Sequence, residues 1–175
     1  CYLHSPIHGN PPRGFVHSDI KPANLMRTPD NHICLIDFNI ALALGEQNVI
    51  GRSAGYASPE HYGLDFSENG EDDITETMEG ASAEDDRTVT MTMRSSIVSK
   101  RVIVPDVRSD IYSTGVTLYH LLSGIRPARD AREVAPLSAE EFSPQIVHII
   151  TKSMEPNPDH RYQTAEEMLY DFRHL

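Results

Sequence analysis

Apolar positions recur along this chain with two different periods. The first third carries short β-prone pieces: Gly14-Phe15-Val16, Leu25-Met26 and Ile33-Cys34-Leu35-Ile36, with Ile40-Ala41-Leu42-Ala43 continuing apolar. The last third carries helical patterns. Ser109 is placed to cap a helix over Asp110–Leu122 that Gly124 stops. That helix is apolar on most faces, the mark of a helix buried in a core. Ser143-Pro144 opens an amphipathic helix with Ile146, Val147, Ile149, Ile150 and Met154 as its buried side. Thr164 caps a last helix, Glu167 completes a capping box, and Ala165, Met168, Leu169, Phe172 and Leu175 face inward. Cys1–His4 reads as the last turn of a helix, ended by Pro6, Gly9, Pro11 and Pro12. A loop over Arg126–Pro136 leads to a short helix near Ser138. The pattern predicts a mainly α (α+β) fold, with helices around one buried central helix.

Between Leu64 and Pro105 both periods fail. Asp65–Asp86 holds about ten carboxylates and no Lys or Arg, too little apolar surface to offset the entropy of ordering. Arg87–Arg101 differs, because Thr88, Thr90, Thr92, Ser95, Ser96 and Ser99 alternate with Val, Met and Ile as a strand would. Residues 64–105 are therefore read as an acidic, Ser/Thr-rich insertion within one domain spanning 1–175.

Composition narrows the class. A length of 175 residues suffices for one domain with a core, and 39 % hydrophobic residues with a mean hydropathy of −0.40 fit a soluble globular chain. A net charge of −11 argues against a nucleic-acid surface, which needs clustered Lys and Arg. Cys1 and Cys34 supply neither a disulfide framework nor a zinc motif, so a reducing cytoplasmic setting is expected. No apolar run approaches the length of a membrane span, and no signal-peptide pattern is present. His4 and His8 have the spacing of helix-borne metal ligands, but Pro6 lies between them and they read as two loop histidines.

The chemistry concentrates in Val16-His17-Ser18-Asp19-Ile20-Lys21-Pro22-Ala23-Asn24-Leu25. Pro22 excludes a helix interior, so its polar residues sit on a loop between two β-prone pieces. The loop carries an acid (Asp19), a cation two residues on (Lys21) and an amide five residues on (Asn24). An acid can take a hydroxyl proton, a cation can hold a transferring phosphoryl group, and an amide oxygen can ligate a hard metal ion. Together these jobs describe phosphoryl transfer. Asp37-Phe38-Asn39 follows, a carboxylate delivered by a strand end eighteen residues after Asp19 and anchored by a large apolar neighbour.

The loop resembles the catalytic loop of serine/threonine protein kinases, with Ser18 and Ile20 in place of the family's Arg and Leu. Asp37-Phe38-Asn39 resembles the family's Asp-Phe-Gly metal loop, with Asn39 in place of Gly; Asn is the non-glycine residue that best tolerates left-handed backbone. Ser53–Glu60 is similar to the substrate-docking loop ending in Ala-Pro-Glu, here Ser-Pro-Glu, with Arg52 as a one-residue insertion before it. The helix beginning Ser109-Asp110 resembles the central helix of the kinase large lobe. The resemblance covers Cys1–Gly63 and Val107–Leu175, and its closest flavour is the bacterial eukaryotic-like type.

The resemblance implies the C-terminal lobe of the protein-kinase-like fold, with short β-hairpins at the catalytic cleft. It implies ATP and Mg2+ as cofactors and a protein with a Ser or Thr acceptor as substrate. It implies Asp19 as catalytic base, Lys21 at the γ-phosphoryl group, and Asn24 and Asp37 as magnesium ligands. His17, Phe38, Ser53, Glu60, Asp110 and Arg161 become structural supports, with Asp110 accepting bonds from the catalytic-loop backbone and Arg161 pairing with Glu60. Gly45–Arg52 takes the place of the activation loop. Because Ser18 cannot read a loop phosphate as the family's Arg does, activation-loop phosphorylation is not expected to be the main switch.

No Gly-x-Gly-x-x-Gly loop and no Val-Ala-Ile-Lys-type lysine occur in the chain. It therefore reads as a fragment, inactive alone, of a parent whose small lobe, and any membrane anchor, lie outside it. Thr88, Thr90 and Thr92 become candidate autophosphorylation sites that would dock a phosphothreonine-binding partner. Two other functions compete. A pseudokinase-type scaffold would draw on Asn39 and Ser18. A hydrolase using His17, Ser18 and Asp19 is discounted, because adjacent loop residues do not form a triad.

Overall fold

The structure is a computed structural model that describes residues 1–8, 12–38, 41–43, 53–62, 104–127 and 134–175. The expectations for Asn39, for residues 45–52 and for nearly all of 64–105, Thr88, Thr90 and Thr92 included, lie outside the described residues.

Two small antiparallel ladders carry the loop chemistry. β1 (Phe15–Val16) pairs with β4 (Leu42–Ala43), and β2 (Leu25–Arg27) pairs with β3 (Ile33–Leu35). The Thr28–Asn31 turn joins β2 to β3, as Pro29 and Asn31 predict; Asn31 takes the left-handed backbone at φ 66°. Between β1 and β2, Pro22–Asn24 forms one tight 3-10 turn with Pro22 at its start, where a missing N–H costs nothing.

The helical layer is α1 (Val107–Ser123), α2 (Pro144–Ser153) and α3 (Ala165–Phe172). α1 runs through the middle, packed against α2 and β1. Ile111 meets Ile149, Tyr162 and Met168, while Val116 and Tyr112 meet Tyr56 of the docking loop. Gly124 ends α1 in a left-handed cap at φ 72°, as its position in the sequence indicates. The fold is the helical lobe expected, with one short hairpin, β2–β3, and a second ladder, β1–β4, that joins strands far apart in the sequence.

Local details differ from the pattern. Asp106, not Ser109, caps α1, its side chain accepting from Arg108 N, and the helix starts one turn earlier. Ser109 is freed for a contact across the lobe. Ser138 starts a single turn closed by Glu141 N and Phe142 N, with no helix. Residues 2–4 form a turn. Leu169 and Leu175 are exposed at 38 % and 56 %, because so short a helix as α3 buries one face and that face belongs to Met168. In the capping box Thr164 accepts from Glu167 N, but the Glu167 carboxylate returns to Gln163 N, one residue before the cap.

Gly115 marks the closest approach of α1 to α2. A Cβ there would sit 2.7 Å from Ser153 Cβ and 3.0 Å from Met154 Cγ. Gly115→Ala is expected to lower stability by about 1–3 kcal/mol through overpacking. A denaturant midpoint equal to wild type would show that the helices separate freely.

Candidate active site

Asp110 is the anchor. It is 2 % exposed, in the first turn of α1, and its carboxylate accepts from His17 N at 2.7 Å and Ser18 N at 2.9 Å. His4 Nε2 donates to the same carboxylate at 2.9 Å. The loop is thereby pinned by its own backbone, and Ser18 is held left-handed at φ 67°. A non-glycine residue at positive φ is costly, and a carboxylate gripping two successive N–H groups is what sustains it.

The pinned loop presents a compact polar cluster. Lys21 Nζ donates to Asp19 Oδ2 at 2.6 Å and to Ser53 Oγ at 2.7 Å. Asn24 Nδ2 donates to Asp19 O at 2.8 Å and to Asp19 Oδ2 at 3.0 Å. Burial pushes the Asp19 carboxyl up, but the Lys21, Ser53 and Asn24 side chains outweigh it and hold Asp19 below the ordinary carboxylate value. Asp19 is therefore an anion at neutral pH. Lys21 ties that anion to the docking loop, so acid, cation and Ser53 form one unit from segments 32 residues apart.

His17 is fully buried and works inward. Its Nδ1 accepts from Asp19 N at 3.3 Å, so the proton sits on Nε2, which donates to Ile36 O at 3.2 Å. Phe38 packs against its ring at a tilt of 59°, with centroids 4.8 Å apart. This contact links the catalytic-loop segment to the strand end that carries Asp37. Asp37 is exposed, left-handed at φ 65°, and Ile36 N donates to Asn24 O at 2.9 Å just before it. Asn24 and Asp37 thus lie at one end of the β2–β3 ladder. Because both Asn24 amide bonds use its nitrogen, its oxygen is the atom left for a cation. An amide oxygen and a carboxylate suit Mg2+, which takes few protein ligands and completes its shell with water and phosphate.

The remaining supports also meet. Arg161 grips Glu60 with two parallel bonds, Nη1 to Oε1 at 2.8 Å and Nη2 to Oε2 at 2.9 Å. Its other donors reach Glu155 O, Pro156 O and Arg108 O, so all five N–H groups are used. Burial raises the Glu60 carboxyl, and Arg161 more than reverses that, leaving it below its ordinary value.

Sequence reasoning found Asp110 but missed the polar rail of which it is part. Ser109 Oγ donates to Glu60 Oε1 at 3.1 Å, Ser113 Oγ to Tyr56 O at 2.9 Å, and Thr117 Oγ1 to Ile20 O at 3.3 Å. All three are buried on α1. Hydroxyls on one side of an otherwise apolar helix were the available signal. His4, read as an idle loop histidine, is the other residue missed; nothing in its local sequence points to a partner 106 residues away.

Comparison with known proteins points in one direction. The chain is 31 % identical over 180 residues to a probable serine/threonine-protein kinase of Streptomyces coelicolor, covering 90 % of this chain and 21 % of that one. It is 30 % identical over 179 residues to the serine/threonine-protein kinase PknB of Mycolicibacterium smegmatis, covering 90 % and 22 %. The chain is similar to serine/threonine protein kinases over about nine tenths of its own length. A probable kinase of Clostridium perfringens is similar at 24 % identity over 93 % of this chain and 21 % of that one. Among solved structures, the ROP18 kinase domain in complex with AMP-PNP and sucrose matches with a TM-score of 0.52 at 20 % identity, over 92 % of this chain and 38 % of that one. This likeness shows a kinase fold, and the helices around α1 are those of its C-terminal lobe. No protein-family model matches the chain. The chain spans about a fifth of the length of these curated kinases.

Proposed function

We propose that residues 1–175 are the C-terminal lobe of a kinase domain that transfers the γ-phosphoryl group of ATP to Ser or Thr hydroxyls of a protein, with residues 64–105 as an insertion in it. The observation that carries this reading is the Lys21 bridge between Asp19 Oδ2 and Ser53 Oγ, with Asn24 clamped on the same carboxylate. In the reaction the acceptor oxygen attacks the γ-phosphorus, the bond to the β-phosphate oxygen breaks, and ADP leaves. Asp19 receives the hydroxyl proton. Lys21 faces the charge on the transferring group, and its bond to Ser53 keeps the docking loop in register with Asp19. Asn24 and Asp37 would hold Mg2+, whose chemistry is to neutralise phosphate charge and orient the leaving group. Met26, Ile33, Ile36 and Phe38 are exposed apolar side chains on or just after the β2–β3 ladder, available to a covering small lobe. We place the reaction in the cytoplasm; among the described residues no helix is long and apolar enough to cross a membrane.

Phosphoamino-acid analysis of a protein substrate incubated with ATP and the complete protein tests this reading. Phosphoserine or phosphothreonine is expected. Nucleotide binding with no protein labelling would favour the scaffold alternative.

Regulation follows from Ser18. It is 2 % exposed, uncharged and fixed by Asp110, so it offers no cation to a phosphate on residues 45–53. Phosphatase treatment of the complete protein is expected to leave most of its activity. A large loss mapped to that segment would contradict the assignment.

A further inference from the structure

Over the docking loop, from the segment after α1, stands a cation that the reaction does not use. Gly55 turns the loop at φ 84°, and a Cβ there would meet Pro127 O at 2.5 Å and Arg126 Cγ at 3.3 Å. The stem of Arg126 therefore lies directly over Gly55, while Arg126 as a whole is exposed. Among the described residues no carboxylate forms an ion pair with it. The next residue, Tyr56, is buried and its hydroxyl is paired with His120 Nδ1 at 2.7 Å. Burial raises the Tyr56 hydroxyl pKa, and Arg126 and Lys21 both pull against that rise. Tyr56 thus lies in the field of two cations. Lys21 stands on its Asp19 side, and Arg126 stands over the loop before it.

The surroundings sharpen the point. Among the described residues the acids around the docking loop are already engaged: Asp19 holds Lys21, and Glu60 is buried against Arg161. The chain as a whole carries a net charge of −11, so a long-range field would repel an acidic ligand. A guanidinium that pairs with no described carboxylate, held over the loop 53–60, reverses that sign locally. A guanidinium suits a carboxylate because its planar fork can bind both oxygens.

We propose that Arg126 is a specificity-determining residue that selects acceptor peptides bearing a carboxylate side chain close to the phosphorylated Ser or Thr. The proposal rests on the kinase reading for the meaning of the docking loop, and it makes a binding claim that does not need transfer.

Fluorescence anisotropy of two labelled synthetic peptides tests it with the complete protein. One has a Thr flanked by Glu; in the other every Glu is Gln. The Glu peptide is expected to bind about tenfold more tightly, the worth of one charge-assisted contact. Arg126→Glu should remove that preference and Arg126→Lys should keep part of it. The preference should shrink between low and high salt, since the contact is exposed. Equal binding of the two peptides to wild type, or an unchanged ratio in Arg126→Glu, would overturn the proposal. Transfer to the same peptides is read separately. Acid-selective binding with no phosphate incorporated would sink the kinase reading while leaving the Arg126 assignment standing; incorporation into both peptides with equal binding would do the reverse.

Discussion

Asp37→Ala is expected to abolish phosphoryl transfer by the complete protein, with a rate loss of about 10²–10⁴-fold, since metal stabilisation of transferring charge is worth several kcal/mol. The argument starts from placement. Asp37 follows β3, is held at φ 65°, and stands at the ladder end where Ile36 N meets Asn24 O. Phe38 fixes that segment by packing against buried His17. Removing the Asp37 carboxylate leaves the Asn24 oxygen as the other protein ligand proposed for the ion. Magnesium-dependent nucleotide affinity should fall together with the rate, and extra magnesium should recover part of the loss. Undiminished transfer, or a rate loss with unchanged magnesium dependence, would contradict the role given to Asp37.

Arg161→Ala is expected to destabilise the lobe by about 3–5 kcal/mol, the usual consequence of stranding one member of a buried ion pair. Arg161 and Glu60 are 2 % and 6 % exposed, and Glu60 would keep only Ser109 Oγ as a side-chain donor. The pH dependence carries the sign. In the wild type Glu60 lies below its ordinary value of 4.5, so its contribution is present above that pH and is lost as pH falls through the folded-state value. Without Arg161, burial is the leading influence and raises Glu60. The protonated form is then favoured, so the variant should regain stability relative to wild type as pH falls towards and below 4.5. Chemical denaturation across pH 4–8 measures both effects. A variant equally destabilised at every pH would show that lost packing, including the Arg161–Tyr112 stacking at 4.8 Å, outweighs the stranded charge.

The sequence was legible where one residue type answers one local demand. Gly124 at a helix end, Ser143-Pro144 at a helix start and Asn31 in a turn each landed where their backbone chemistry put them. Asp19, Lys21 and Asn24 could be read because their spacing along one loop states a chemistry, and the structure brings them within hydrogen-bond reach. Contacts between distant segments were less visible. Ser109 was read as a cap because serine favours that position, yet Asp106 takes the cap and Ser109 serves Glu60. His4 could not be assigned from its neighbours, since its partner Asp110 is set by how the chain packs against α1. Arg126 was read only as the start of a loop, and its place over Gly55 is again a contact between distant segments. Pattern within an element is a local property, whereas a polar contact across the lobe depends on the packing of the whole fold.

The central claim is that the Asp19 cluster performs phosphoryl transfer, and the isosteric variant Asp19→Asn tests it most directly. Asn keeps the size of Asp19 and can still accept from Lys21 and Asn24, but it cannot take the acceptor proton. Single-turnover transfer of labelled γ-phosphate from ATP to a protein substrate should be measured for both forms of the complete protein, with nucleotide affinity determined on the same samples. The account predicts a rate lower by about 10²–10⁴-fold in the variant, the range for a general base, with nucleotide affinity unchanged. Equal rates in the two forms, or no transfer by the wild type despite bound nucleotide and magnesium, would contradict it.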